Sequence, residues 1–217
     1  ALLAWLDGGD AADFRHAMEC IRENYPPAAF YGAMNFLGTH DTARILTLLG
    51  AEQVPEQKTE RAAYRLSPQE LDRGRRRLRL AGMLLYCFPG SPTLYYGDEA
   101  GMQGFEDPLN RRTYPWGGED TALLDFFRQL GRLRTERPSL RRGEIRYLYA
   151  QGGGLVLERR CGGERTVAAL NGGSDALELA LPWVASLCTD GVTGQRFLVQ
   201  DGQVHLTLPP LDGVILL

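Results

Sequence analysis

Apolar positions along the chain recur at helical spacing in some stretches and in short continuous or alternating runs in others. Behind a capping Asp10, the residues Phe14, Met18 and Ile21 form a stripe that predicts a helix to about Asn24, ended by Tyr25-Pro26-Pro27. The apolar run Phe30–Leu37, bounded by proline and glycine, predicts a strand buried on both faces. Thr39-His40-Asp41-Thr42 follows, with a short helix expected over about Thr42–Leu49 and a stop at Gly50. Ser67-Pro68-Gln69-Glu70 spells a capping box with proline at the first helical position, opening a long helix over about Pro68–Phe88. Pro89-Gly90-Ser91-Pro92 breaks it, and Thr93–Tyr96 predicts a second buried strand before the Gly-rich stretch Gly101–Gly118. A further helix, about Asp120–Arg134, gathers Leu123, Phe126, Phe127, Leu130 and Leu133 on one face.

After Pro138 the pattern changes to short β-type runs between glycine turns: Glu144–Tyr149, Leu155–Arg160, Thr166–Leu170, Leu177–Leu181, Gln195–Val199, Val204–Leu208 and Val214–Leu217. These predict an all-β sandwich over 138–217 that carries its own core. Residues 1–137 alternate helix and strand, which argues for parallel strands joined by crossovers. Two parallel strands do not make a stable sheet alone. With Ala1 first and no basic, apolar leader behind it, the chain reads as the continuation of a larger protein. It is therefore expected to self-associate or to depend on a missing portion.

Composition narrows the function classes. Lys plus Arg number 24 and Asp plus Glu 27, a formal charge of −3, which argues against a general nucleic-acid binder. The basic run Arg73–Arg79 reads as a solvated helix face. No apolar run is long enough to span a membrane. Cys20, Cys87, Cys161 and Cys188 are scattered, so neither zinc nor a redox pair is indicated, and lone thiols fit a cytoplasmic location. No cofactor is called for.

Candidate chemistry sits after the two short strands, where active sites of parallel α/β folds collect. His40 and Asp41 follow the first, with Arg44 three residues on, a cluster suited to orienting a hydroxyl-rich ligand. Thr39 or Asp41 could equally cap the next helix. Asp98 and Glu99 end the second strand and point to opposite faces. In the loop beyond, Asp107 and Arg111 could close on a ligand hydroxyl from two sides or form a plain salt bridge, and Tyr114 and Trp116 could stack on a sugar ring.

Met34-Asn35-Phe36-Leu37-Gly38-Thr39-His40-Asp41-Thr42-Ala43-Arg44 resembles the seventh-strand signature of the α-amylase family of glycoside hydrolases. Gly90-Ser91-Pro92-Thr93-Leu94-Tyr95-Tyr96-Gly97-Asp98-Glu99 resembles the eighth-strand signature, and Asp107-Pro108-Leu109-Asn110-Arg111-Arg112 extends the match toward the neopullulanase, cyclomaltodextrinase and maltogenic amylase branch. The resemblance implies the last two strand–helix units of a (β/α)8 TIM barrel followed by a C-terminal antiparallel β-sandwich. It implies a retaining hydrolase of α-1,4-glucosidic bonds in maltodextrins, cyclodextrins or pullulan, with α-glucan oligosaccharides as partners. Asp41 matches the acid that stabilises the transition state, His40 a sugar contact, and Asp107 and Arg111 a pair gripping the next sugar. The nucleophile and general-acid motifs of the family are absent from these residues, so the chain alone is expected to be inactive. A non-catalytic amylase-like interaction protein and a sugar-binding module stay open as alternatives.

Overall fold

The computed structural model describes all residues, Ala1–Leu217. The chain runs through α1 (Leu2–Leu6), α2 (Ala11–Asn24), α3 (Pro27–Gly32), β1 (Met34–Phe36), α4 (Ile45–Gly50), α5 (Lys58–Ala63), α6 (Pro68–Cys87) and β2 (Ser91–Thr93). A long loop with one 3-10 turn leads to α7 (Thr121–Glu136) and α8 (Pro138–Arg142). Strands β3 (Glu144–Gln151), β4 (Gly154–Cys161), β5 (Glu164–Asn171), β6 (Leu177–Pro182), β7 (Leu187–Thr189), β8 (Arg196–Gln200), β9 (Gln203–Leu208) and β10 (Asp212–Leu216) complete it.

Local chemistry sets the helix starts. Asp10 accepts from Ala12 N at 2.8 Å and Asp120 from Leu123 N at 3.1 Å. At the start of α6, Glu70 N donates to Ser67 Oγ at 3.3 Å and Ser67 N to Glu70 Oε2 at 2.8 Å, the expected capping box. The α7 stripe is buried as expected, whereas α2 buries Phe14 and leaves Ile21 44% exposed. The arginine run is not a solvated face. Arg73 pairs with Glu52 at 2.7 Å, Arg75 with Asp120 at 2.5 Å, Arg76 donates to the Pro210 carbonyl, and Arg79 lies 4.2 Å from the Phe126 ring centroid.

β1 and β2 pair in parallel, Met34 opposite Ser91 and Phe36 opposite Thr93, and form a sheet of two strands. The expected strand over Phe30–Leu37 is shorter than its apolar run. Proline at its first turn makes Pro27–Gly32 a helix, and only Met34–Phe36 is extended. Nor is β1 buried on both faces: Met34 is 63% and Phe36 50% exposed, since no third strand or covering layer lies against them.

The later strands form two antiparallel sheets of four, ordered β10-β5-β4-β3 and β6-β9-β8-β7. Val156, Val167, Ala169, Leu179, Leu206 and Leu216 belong to the apolar cluster between them, the packing of a sandwich. The other face of the first sheet is covered as well. Leu155, Leu157, Ala168, Leu170 and Ile215 join Leu78, Leu80, Phe127 and Leu130 in a single core of 25 buried residues. The sandwich has the core of its own that was expected, but it does not stand apart from the helices. One sheet sits between the helices and the second sheet, and the larger core crosses residue 137.

Candidate functional site

The loops that leave β1 and β2 meet at one edge of the helical layer. The first, Thr39–Thr42, is a turn in which Thr39 N donates to Thr42 Oγ1 and Asp41 N to Thr39 Oγ1, each at 3.2 Å. It presents His40 and Asp41 outward, with side chains 61% and 73% exposed and Nε2 3.3 Å from Oδ1. The second loop carries Asp107 and Arg111, paired at 2.6 Å and also half exposed. Trp116 is 84% exposed, its ring 4.5 Å from that of Tyr114.

Between the loops lies Asn110, fully buried within the Asp107–Arg111 segment. Its Nδ2 donates to the His40 carbonyl at 2.8 Å and to the Thr42 carbonyl at 2.7 Å. Both amide hydrogens are therefore spent on the turn that holds Asp41, and the two pairs foreseen from sequence are joined through this side chain. Two further stitches reinforce it: Arg44 N donates to the Gly104 carbonyl at 2.9 Å, and Gly104 N to Thr47 Oγ1 at 2.9 Å.

Arg44 is not placed as a ligand contact. The helix α4 begins only at Ile45, so Asp41 and Arg44 do not share a helical turn. The guanidinium, 0% exposed, turns inward to Asp98 Oδ1 at 3.2 Å, to the Asn110 carbonyl at 2.8 Å and to the Tyr96 carbonyl. It lies 4.2 Å and 4.6 Å from the ring centroids of Tyr95 and Tyr96, a cation–π arrangement. Burial pushes the Asp98 carboxyl up to about 6, against the pull of Arg44 beside it. The carboxylate also explains Gly38, because a Cβ there would meet Asp98 Oδ2 at 2.6 Å. Arg44 and Asp98 thus form an internal post under the site.

The sequence motifs named Asn110 and Asp98 without assigning them work. Their partners lie 54 to 70 residues away along the chain, beyond the reach of local pattern. No group of three or more His, Cys, Asp or Glu side chains is arranged to hold a metal ion. No helix is long and apolar enough to cross a membrane.

No family model matches the chain. It is 37% identical to an amylopullulanase of Thermoanaerobacter thermohydrosulfuricus over 96% of this chain and 15% of that one. It is 31% identical to neopullulanase 2 of Thermoactinomyces vulgaris over 88% of this chain and 30% of that one. Among solved structures it superposes on an Anoxybacillus α-amylase with a TM-score of 0.75 and 27% identity, covering 93% of this chain and 41% of the other. The chain belongs to the α-amylase family of glycoside hydrolases. Its relatives there are amylopullulanases, neopullulanase 2, cyclomaltodextrinases and a maltogenic α-amylase, and it spans less than a third of the length of the enzymes just compared in sequence.

Proposed function

We propose that this chain forms the substrate-gripping end of a retaining α-glucan hydrolase, with β1 and β2 as the last two strands of a (β/α)8 barrel and residues 138–217 as its C-terminal sandwich. The observation that carries this reading is the Asn110 clamp, which fixes the Asp41 turn and the Asp107–Arg111 pair as one unit beyond two parallel strands. The exposed apolar side chains of β1 fit a sheet that continues into further strands.

In this reading the nucleophile and the general acid stand on residues outside this segment, flanking the bond as retaining hydrolysis requires. Asp41 and His40 hold the sugar at the cleaved bond. The Asp41 carboxylate, open to solvent here, opposes positive charge as it develops on that sugar, so its contribution grows toward the transition state. Asp107 and Arg111 hold a sugar one unit away, where ground state and transition state differ less. Arg44 and Asp98 touch no sugar and keep the two loops in register.

The test uses an enzyme that carries this segment whole. Asp41→Asn should lower kcat by several orders of magnitude with KM changed only a few-fold. A loss confined to KM would leave Asp41 a binding or capping residue. The 217-residue chain alone should release no reducing sugar from maltodextrin, and release above background would overturn the assignment of nucleophile and acid to other residues.

A further inference from the structure

One large groove in the molecule does not touch this site. It encloses about 710 Å³ between the helical layer and the ends of the first sheet, bounded by the α1–α2 turn, the β3–β4 turn and the segment after β5. That size falls in the range of roughly 300–1,000 Å³ typical of small-molecule sites.

Its chemistry is unusual for a surface cleft. Seven glycines line it, from Gly8 and Gly9 through Gly152–Gly154 to Gly172 and Gly173, so the main chain itself forms much of the wall. At Gly8 and Gly152 even an added Cβ would find open space. Tyr149 supplies the one aromatic ring, packed across Gly154, where a Cβ would come within 2.6 Å of Tyr149 Cε1. Arg77 reaches in from α6. Its Nη1 is occupied by the Leu49 carbonyl at 3.2 Å and Asp7 at 3.3 Å, whereas its Nε is buried without a protein partner.

The charge of the lining selects among ligands. Asp7, Asp10 and Asp175 stand against the single Arg77, which disfavours phosphates and carboxylates. The acids form no metal-binding group. Apolar side chains are few, which disfavours a lipid or an apolar helix. What remains is a neutral molecule rich in hydroxyls, able to bond to main-chain amides and carbonyls and to pack against the Arg77 side chain and the Tyr149 ring.

We propose that this groove is a second, non-catalytic glucan-binding site, holding a short stretch of α-glucan away from the site of cleavage. It rests on the α-glucan reading of the Asp41 site. Its purpose follows from effective concentration, since a polymer held at one point is presented repeatedly to another. Titration calorimetry of the 217-residue chain with maltohexaose, and with cellohexaose as the β-linked control, tests it. Measured in a chain carrying Asp41→Asn and Asp107→Ala to silence the first site, saturable binding of maltohexaose is expected, weakened at least ten-fold by Tyr149→Ala and by Arg77→Gln. Should Tyr149→Ala fail to fold, Ser174→Trp at an exposed position fills the groove and should abolish binding. Absence of binding by the folded chain, equal binding of cellohexaose, or binding that survives both groove substitutions overturns the proposal. Binding by the unsubstituted chain that is lost with Asp41→Asn and Asp107→Ala would overturn it while leaving the first site standing. Groove binding in an enzyme that does not hydrolyse α-glucans would instead sink the function proposed for that site.

Discussion

Replacing Asn110 by alanine removes the side chain that ties the Asp107–Arg111 segment to the His40–Thr42 turn, and the structure sets the size of the effect. Two neutral hydrogen bonds are lost, at 2.8 Å and 2.7 Å, each worth about 1 kcal/mol net. The orphaned His40 and Thr42 carbonyls lie on an exposed turn that water can partly reach, so they add less than the roughly 1–3 kcal/mol of a fully buried orphan. Asn110 Oδ1 has no protein partner, and its removal returns part of the cost. Asn110→Ala should therefore destabilise the chain by about 2 kcal/mol, read from urea unfolding at pH 7. Asn110→Asp keeps the shape but turns an acceptor toward two carbonyls, and should cost more. Its buried carboxyl has a raised folded-state value, so the variant gains stability below its unfolded value near 4 and loses it as pH rises through the folded one. The His40 ring protons in an NMR spectrum should broaden or shift in both variants. An Asn110→Ala chain within about 0.5 kcal/mol of the original, with unaltered His40 signals, would refute the clamp.

Glu70 is held down to about 2 by hydrogen bonds from Tyr64, Glu52 N and Ser67 N. Since that lies below its unfolded value, its contribution of about 3 kcal/mol at pH 7 should decline below pH 4.5 and fall by more than half by pH 3. Unfolding midpoints of Glu70→Gln should converge on the original over the same range, and a constant gap would contradict this. In an enzyme carrying the segment, Asp107→Ala or Arg111→Ala should raise KM at least as strongly as it lowers kcat, most visibly on short substrates. If both act like the original on every substrate length, their 2.6 Å contact is only an exposed loop salt bridge.

What could be read from sequence was what is local. The caps at Asp10, Ser67 and Asp120 involve partners two or three residues away, so residue type alone places them. Helices α1, α3, α5 and α8 have no side-chain cap, and Pro27 and Pro138 are as easily read as breakers as first-turn residues. Strand β7 is three residues long, too short for alternation to show. The run Phe30–Leu37 was ambiguous in principle, because a short apolar stretch has no period to separate helix from buried strand. At the site, the exposed groups were legible as motif residues. The buried post was not, because Arg44, Asp98 and Asn110 find one another only across the fold.

The sequence changes character at Pro138, and packing shows that this is not a seam. In β4 and β5 alternate side chains enter different cores. Val156, Val167 and Ala169 face the second sheet, whereas Leu155, Leu157, Ala168 and Leu170 face α6 and α7. Arg159, buried at the same boundary, donates from Nη1 to the Cys87 carbonyl at 2.7 Å. A polypeptide of residues 138–217 would expose three leucines and Ile215, each worth about 2 kcal/mol of burial, or about 8 kcal/mol together. That equals much of the roughly 5–15 kcal/mol by which a domain is stable at all. Such a polypeptide should bind a hydrophobic dye and melt without a sharp transition, although its second core is complete. A cooperative melt with native-like near-ultraviolet dichroism would show that the helices merely rest on the sheet. On the packing described, they are the wall that makes it one.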